Sequence, residues 1–160
     1  MKNWNFDSNA SIKFSGSNIN GTFGNPKGTI VFDPSNLTSA SMDVLIETST
    51  IETGDRLKDK HAKGKDWFDV ENYKTIKFTS SSFAKSGKVF TVKGTLQLRG
   101  TSKPVAIGFQ FVSSKDKGTF TGSLKVNRTD FGIKGNIFGF MVGNEINVEL
   151  KVPVKNSTRK

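Results

Sequence analysis

KVFTVKGTLQLRGTSKPVAIGFQFV, residues 88–112, is the stretch whose pattern decides the fold. Phe90, Val92, Gly94, Leu96 and Leu98 fall on one parity, and Thr91, Lys93, Thr95, Gln97 and Arg99 on the other. After an interruption at residues 99–104 the alternation resumes, with Val105, Ile107, Phe109 and Phe111 in phase. A period of two marks a strand with one dry face and one wet face. Gly100 and the Lys103-Pro104 pair supply turn chemistry, so the stretch reads as two long strands folded back at residues 99–104.

The same alternation spreads outward in both directions. Ile12 and Phe14 open it, Ile19, Gly21 and Phe23 continue it, and Asn25-Pro26-Lys27-Gly28 reads as a turn. Residues 29–32 form a strand closed by Asp33-Pro34-Ser35-Asn36, and Met42, Val44 and Ile46 line the next. Downstream, Phe120, Gly122, Leu124, Val126 and Arg128 share one parity, as do Ile146, Val148, Leu150, Val152 and Val154. Only residues 54–63 read as a helix, with Thr53 able to cap it, Asp55 in its first turn and Gly64 at its end. Eight or nine alternating strands without a βαβ crossover call for one shared apolar side. An antiparallel barrel is the simplest closed solution, and a two-sheet sandwich satisfies the same pattern. No internal repeat or domain boundary appears, so residues 1–160 read as a single domain.

Composition narrows the chemistry. The chain has no cysteine and one histidine, His61, so thiolate sites, disulfides and a histidine metal cluster are not expected. No nucleophile elbow, phosphate loop or calcium loop is present, and no enzyme is expected. Phenylalanine supplies 14 residues, and its ring needs no buried hydrogen-bond partner. A barrel of about eight strands either fills its interior or holds one small ligand. The lumen candidates are Phe14, Phe32, Val44, Phe78, Phe90, Val92, Phe109, Phe111, Phe120, Leu124 and Val148. Gly94 and Gly122 share their parity and suggest leftover space. Phe131, Phe138, Phe140 and Met141 lie in a Gly- and Phe-rich loop and suggest a lid. Arg128, on the dry parity at a strand end, reads either as a rim arginine paired with a carboxylate or as a contact for an anionic head group.

The formal charge of +10 fits a solvated barrel exterior, because lysines alternate with apolar residues along most strands. No apolar run reaches the ~20 residues of a membrane span, and the start has no signal-peptide core. The expected location is the cytoplasm, or the periplasm or exterior if the chain is a mature form.

Four groups of residues, in order over residues 4–154, carry a resemblance. The first is Ile51-Glu52-Thr53-Gly54 with Arg56 and Asp59, followed by Trp67-Phe68-Asp69 and Ile76-Lys77-Phe78-Thr79-Ser80. The second runs from Gly94 through Arg99-Gly100 and Lys103-Pro104 to Val105. The third and fourth are Asn127-Arg128-Thr129-Asp130-Phe131-Gly132-Ile133 and Val142-Gly143-Asn144-Glu145-Ile146. On these residues the chain resembles the YceI family. The resemblance implies an eight-stranded lipocalin-like barrel that binds a polyisoprenoid or similar long apolar lipid in its lumen, with no cofactor and no agreed catalytic residue. It implies an isoprenoid as partner, admits transient membrane contact and a homodimer, and involves no nucleic acid. Two positions depart from the family pattern: Ala10 precedes Ser11 where members often carry histidine, and Lys74 replaces a common proline. The rival reading is a filled-core module whose basic surface meets anionic membrane or nucleic acid; ionic strength separates the two.

Overall fold

The computed structural model describes residues 2–16, 19–133, 136–137, 140–141 and 144–156. Among them run β1 (Asn3–Phe6), β2 (Ser11–Gly16), β3 (Ile19–Gly24), β4 (Lys27–Val31) and β5 (Ser41–Glu47), then one helix, α1 (Arg56–Ala62). The long strands follow: β6 (Thr75–Ser86), β7 (Val89–Leu98), β8 (Thr101–Ser114) and β9 (Lys117–Asn127). A short antiparallel pair, β10 (Asn136–Ile137) and β11 (Phe140–Met141), precedes β12 (Glu145–Asn156).

Neighbours in the sheet follow the order β1-β4-β5-β6-β7-β8-β9-β12, and β1 pairs back onto β12, so eight antiparallel staves close a barrel. That closure excludes the two-sheet sandwich. Two staves are broken. β12 pairs with β2 from Asn147 to Leu150 and with β1 from Val154 to Asn156, so β1 and β2 are halves of one stave. The chain steps out between them, where Asp7 N–H donates to the Pro153 carbonyl at 2.9 Å. β3 and β4 break likewise at Asn25, whose φ is +50°. β3 rejoins the wall through a bridge between Thr22 and Glu52.

The β7–β8 turn is tighter than the six residues the sequence suggests. Arg99 and Gly100 alone make it, with φ of +52° and +74°, the doubly left-handed turn that matches strand twist. Residues 101–104 therefore belong to β8, and Pro104 lies opposite Thr95. Counted from a two-residue turn, that pair does not exchange backbone hydrogen bonds. The proline nitrogen thus points to the other edge of β8, which β9 joins only from Gly108 onward.

Inside, glycine and phenylalanine are complementary. A Cβ on Gly94 would meet the Thr79 carbonyl oxygen at 2.3 Å and the Phe78 ring at 2.8 Å. One on Gly122 would lie 2.4 Å from the Gly108 carbonyl oxygen, and one on Gly118 would lie 2.7 Å from the Phe111 ring. The room these glycines leave is already occupied by a neighbouring ring or backbone, so they are sites of close approach rather than vacancies.

Helix α1 begins after Asp55, whose carboxylate accepts from the N–H groups of Leu57 and Lys58 at 2.9 and 3.3 Å. Asp55, not Thr53, is the cap; Thr53 instead donates its N–H to Asp59 Oδ1 at 2.6 Å. At seven residues, about two turns, the helix cannot stand alone. It docks through Ala62, which has no exposed surface, while Leu57 stays 52% exposed.

Candidate functional site

The buried side chains form two clusters stacked along the barrel. One centres on Phe32, whose ring lies 5.2–6.0 Å from those of Phe83, Phe90, Phe109, Phe111 and Phe120. Trp4 seals the same end, its indole N–H donating to the Phe32 carbonyl at 3.0 Å. The second cluster gathers Phe14, Phe23, Ile51, Trp67, Phe68, Leu98, Phe131 and Ile133 under α1 and the segment after it. Between them lies a cavity of about 220 Å³.

Of the residues that parity put in the lumen, Phe14, Val44, Phe78, Val92, Phe109, Phe120, Gly122, Leu124 and Val148 stand on the cavity wall. Phe32, Phe90 and Phe111 belong instead to the packed cluster, and Gly94 lies under the Phe78 ring. Parity separates inside from outside but carries no information on height along the barrel axis. The wall also includes Trp67 and Phe68, from a connection that has no strand alternation to give it away. Phe68 meets Phe23 edge to face at 5.2 Å and closes the second cluster from above.

Of the lid residues, Phe131 is buried within that second cluster and does not line the cavity. Phe138 lies outside the described residues, as do the side chains of Phe140 and Met141. The backbone at residues 140–141 is strand β11, paired with β10.

Arg128 is the one charged residue on the wall among the described residues, and it is 5% exposed. It begins a 3-10 turn (Arg128–Phe131) that Asn127 caps by accepting the Thr129 N–H at 3.0 Å. Its Nη1 donates to the Ile133 carbonyl at 2.8 Å and its Nη2 to Asn144 Oδ1 at 3.1 Å. These bonds tie the segment after β9 to the start of β12. Both of these acceptors are neutral, a carbonyl and a carboxamide, where a carboxylate was the expected partner; the nearby Glu145 lies 3.7 Å from Lys125.

A second arginine has a structural role that its wet parity concealed. From the β7–β8 tip, Arg99 donates Nη2 to the Lys65 carbonyl at 2.6 Å and Nη1 to the Gly132 carbonyl at 3.2 Å. Its guanidinium also lies over the Tyr73 ring, 5.7 Å from the centroid. One side chain thus joins the hairpin, the segment after α1 and the turn after β9 at the cavity end of the barrel. An arginine at the first position of an Arg-Gly turn is the available clue: left-handed backbone throws it beyond the sheet.

Known proteins share this architecture. The family model described as YceI-like domain matches residues 4–154. A UPF0312 protein of Photorhabdus laumondii is 32% identical over 123 residues, a match spanning 73% of this chain and 64% of that relative's length. The crystal structure of Burkholderia cenocepacia BcnA superposes with a TM-score of 0.82 at 24% identity, covering 90% of this chain and 95% of the other. A polyisoprenoid binding domain from Saccharophagus degradans, implicated in plant cell wall breakdown, superposes with a TM-score of 0.72 at 14% identity, covering 96% and 98%.

Proposed function

This chain belongs to the family of YceI-like domains, and from that premise we propose that its barrel binds an apolar chain, a polyisoprenoid or similar lipid, and holds it away from water. One observation carries the reading. Arg128 apart, every lining side chain among the described residues is aliphatic, thioether or aromatic, around space that the protein leaves unfilled. Such a wall gives about 0.8 kcal/mol for each CH₂ it takes from water and asks for no polar contact. The polar group it does present is engaged in holding the fold, which favours carriage over catalysis.

Size bears on how the cargo sits. An apolar cavity of roughly 150 Å³ accommodates one benzene. At about 220 Å³ the cavity takes a short branched segment, not a long chain. A longer isoprenoid requires the roof made by Trp67, Phe68 and Ile133 to shift, and Arg99 is the bond donor that holds this roof to the hairpin. The same logic makes the terminal isoprene units, rather than the head group, the part most deeply held.

Mass spectrometry of an organic extract tests the reading directly. The expected result is a stoichiometric long-chain lipid released from the wild-type protein and missing from Leu124→Trp, whose indole occupies the cavity. A folded wild-type protein that yields no lipid and takes up no isoprenoid afterwards overturns the proposal.

A further inference from the structure

The positive charge of this protein is not spread around the barrel. Residues 75–128 hold ten Lys and Arg against one carboxylate, Asp116, whereas residues 1–74 hold nine against ten. Residues 75–128 form β6, β7, β8 and β9, four consecutive neighbours in the wall, so nearly the whole excess lies on one side. Arg99 and Arg128 turn to the roof and the cavity, which leaves eight lysines, all of them exposed. Lys77, Lys93, Lys117 and Lys125 occupy outward positions of their strands, and Lys88 and Lys115 occupy the turns.

Two further features lie on the same face. Val112 is 72% exposed and Val89 42% exposed, both on outward positions of adjacent strands. The β8–β9 ladder also stops at Gly108 opposite Ser123, although both strands run on. The next residues beyond that last pair are Ile107 and Leu124, both on the cavity wall. Over this stretch the barrel is unzipped among the described residues.

We propose that the outer face of β6–β9 docks on an anionic bilayer, its lysines meeting head groups, Val89 and Val112 entering the interface, and the open β8–β9 edge turned to the lipid. The docking itself needs only the face; the role of the open edge as a passage for cargo rests on the proposed function. Charge complementarity alone would equally suit nucleic acid. The face carries exposed valines where a single-strand binder presents aromatic rings for stacking, and its exposed cations are all lysine, without the arginine fork that reads bases or phosphates.

Flotation with vesicles of phosphatidylglycerol in phosphatidylcholine, set against pure phosphatidylcholine, tests this. The wild-type protein is expected to float with the anionic vesicles only, and less so as salt rises. Combined Lys77→Gln, Lys88→Gln, Lys93→Gln and Lys117→Gln is expected to weaken partitioning by roughly fivefold for each lysine that reaches the surface. Lys13→Gln, Lys60→Gln, Lys65→Gln and Lys151→Gln remove the same charge elsewhere and should change it little. Equal loss in both sets, greater loss in the second, or wild-type protein that ignores vesicles but binds duplex DNA through the first set each overturns the proposal. Lipid content measured on the same samples separates the two readings. A protein that floats through this face yet never holds lipid keeps the docking and removes the cargo; one that holds lipid yet never floats does the reverse.

Discussion

At one end of the barrel Phe32 has no exposed surface and five phenylalanine rings stand around it; at the other, Phe14, Phe23 and Phe68 share their end with a roofed cavity. Both ends are built on the same inward parity of the same staves. What differs is the size of the partners. At the packed end phenylalanine faces phenylalanine, and the rings meet on the axis of a barrel just wide enough to be filled by side chains. At the cavity end the staves contribute Ile46, Leu96, Leu124, Val126, Ile146 and Val148, which reach less far and leave the axis empty. Filled or hollow is decided by side-chain reach, layer by layer.

Removing a ring from the packed end should therefore have the largest effect. Phe32→Ala is expected to cost about 3–5 kcal/mol, read as a lower denaturant midpoint, because its neighbours cannot collapse into the space. Phe14→Ala opens onto existing empty volume and should cost less. Equal losses would show that the two ends are packed alike.

Next come the glycines. Gly94→Ala and Gly122→Ala each place a Cβ within 2.5 Å of a backbone carbonyl oxygen. Overpacking of that kind costs about 1–3 kcal/mol. Thermal unfolding at wild-type temperature for both would restore the view that these glycines mark spare room.

Arg128→Met takes at least two charge-assisted bonds from the cavity end and leaves the packed end untouched. A loss of about 2 kcal/mol is expected, with faster hydrogen exchange confined to the segment after β9 and the start of β12. Uniform acceleration through β1 and β4 would mean that the ends are not independent.

The smallest effect belongs to acid. Hydrogen bonds from Ser35 lower the Asp33 carboxyl pKa, and the Asn9 N–H lowers that of Asp7, both from 3.8. A depressed native value stabilises the fold above the unfolded value, and that contribution is lost as pH falls below 3.8 through the native values. Both carboxylates flank β1 and β4, so Asp33→Asn should flatten the acid limb of a stability profile slightly. An unchanged profile would place the acid sensitivity elsewhere.

The closed antiparallel barrel was legible because alternation is local and survives in nearly every strand. The helix was legible over residues 54–63, although the residue two places beyond the expected cap does the capping. The breaks within the first two staves were visible only as turns, since nothing local says that β1 and β2 share one neighbour at the far end of the chain. Trp67, Phe68 and Arg99 escaped because their positions follow from the long-range crossing of irregular segments, which no period encodes. The lumen set was legible as inward-facing, but its division between wall and packing depends on the stagger of neighbouring strands.

The chain's two tryptophans happen to divide between these ends: Trp4 in the packed cluster, beside Phe111 at 5.2 Å, and Trp67 on the cavity wall. The molecule therefore contains its own optical reporter and its own internal standard. An apolar guest entering the cavity displaces or contacts Trp67 and alters its emission, while Trp4 keeps the colour of a sealed core. Unfolding shifts both to the red together. With Trp67→Phe the remaining signal follows the integrity of the fold alone, and below the melting range it leaves the Trp67 signal of Trp4→Phe to report occupancy, so the two variants together separate binding from melting without a label.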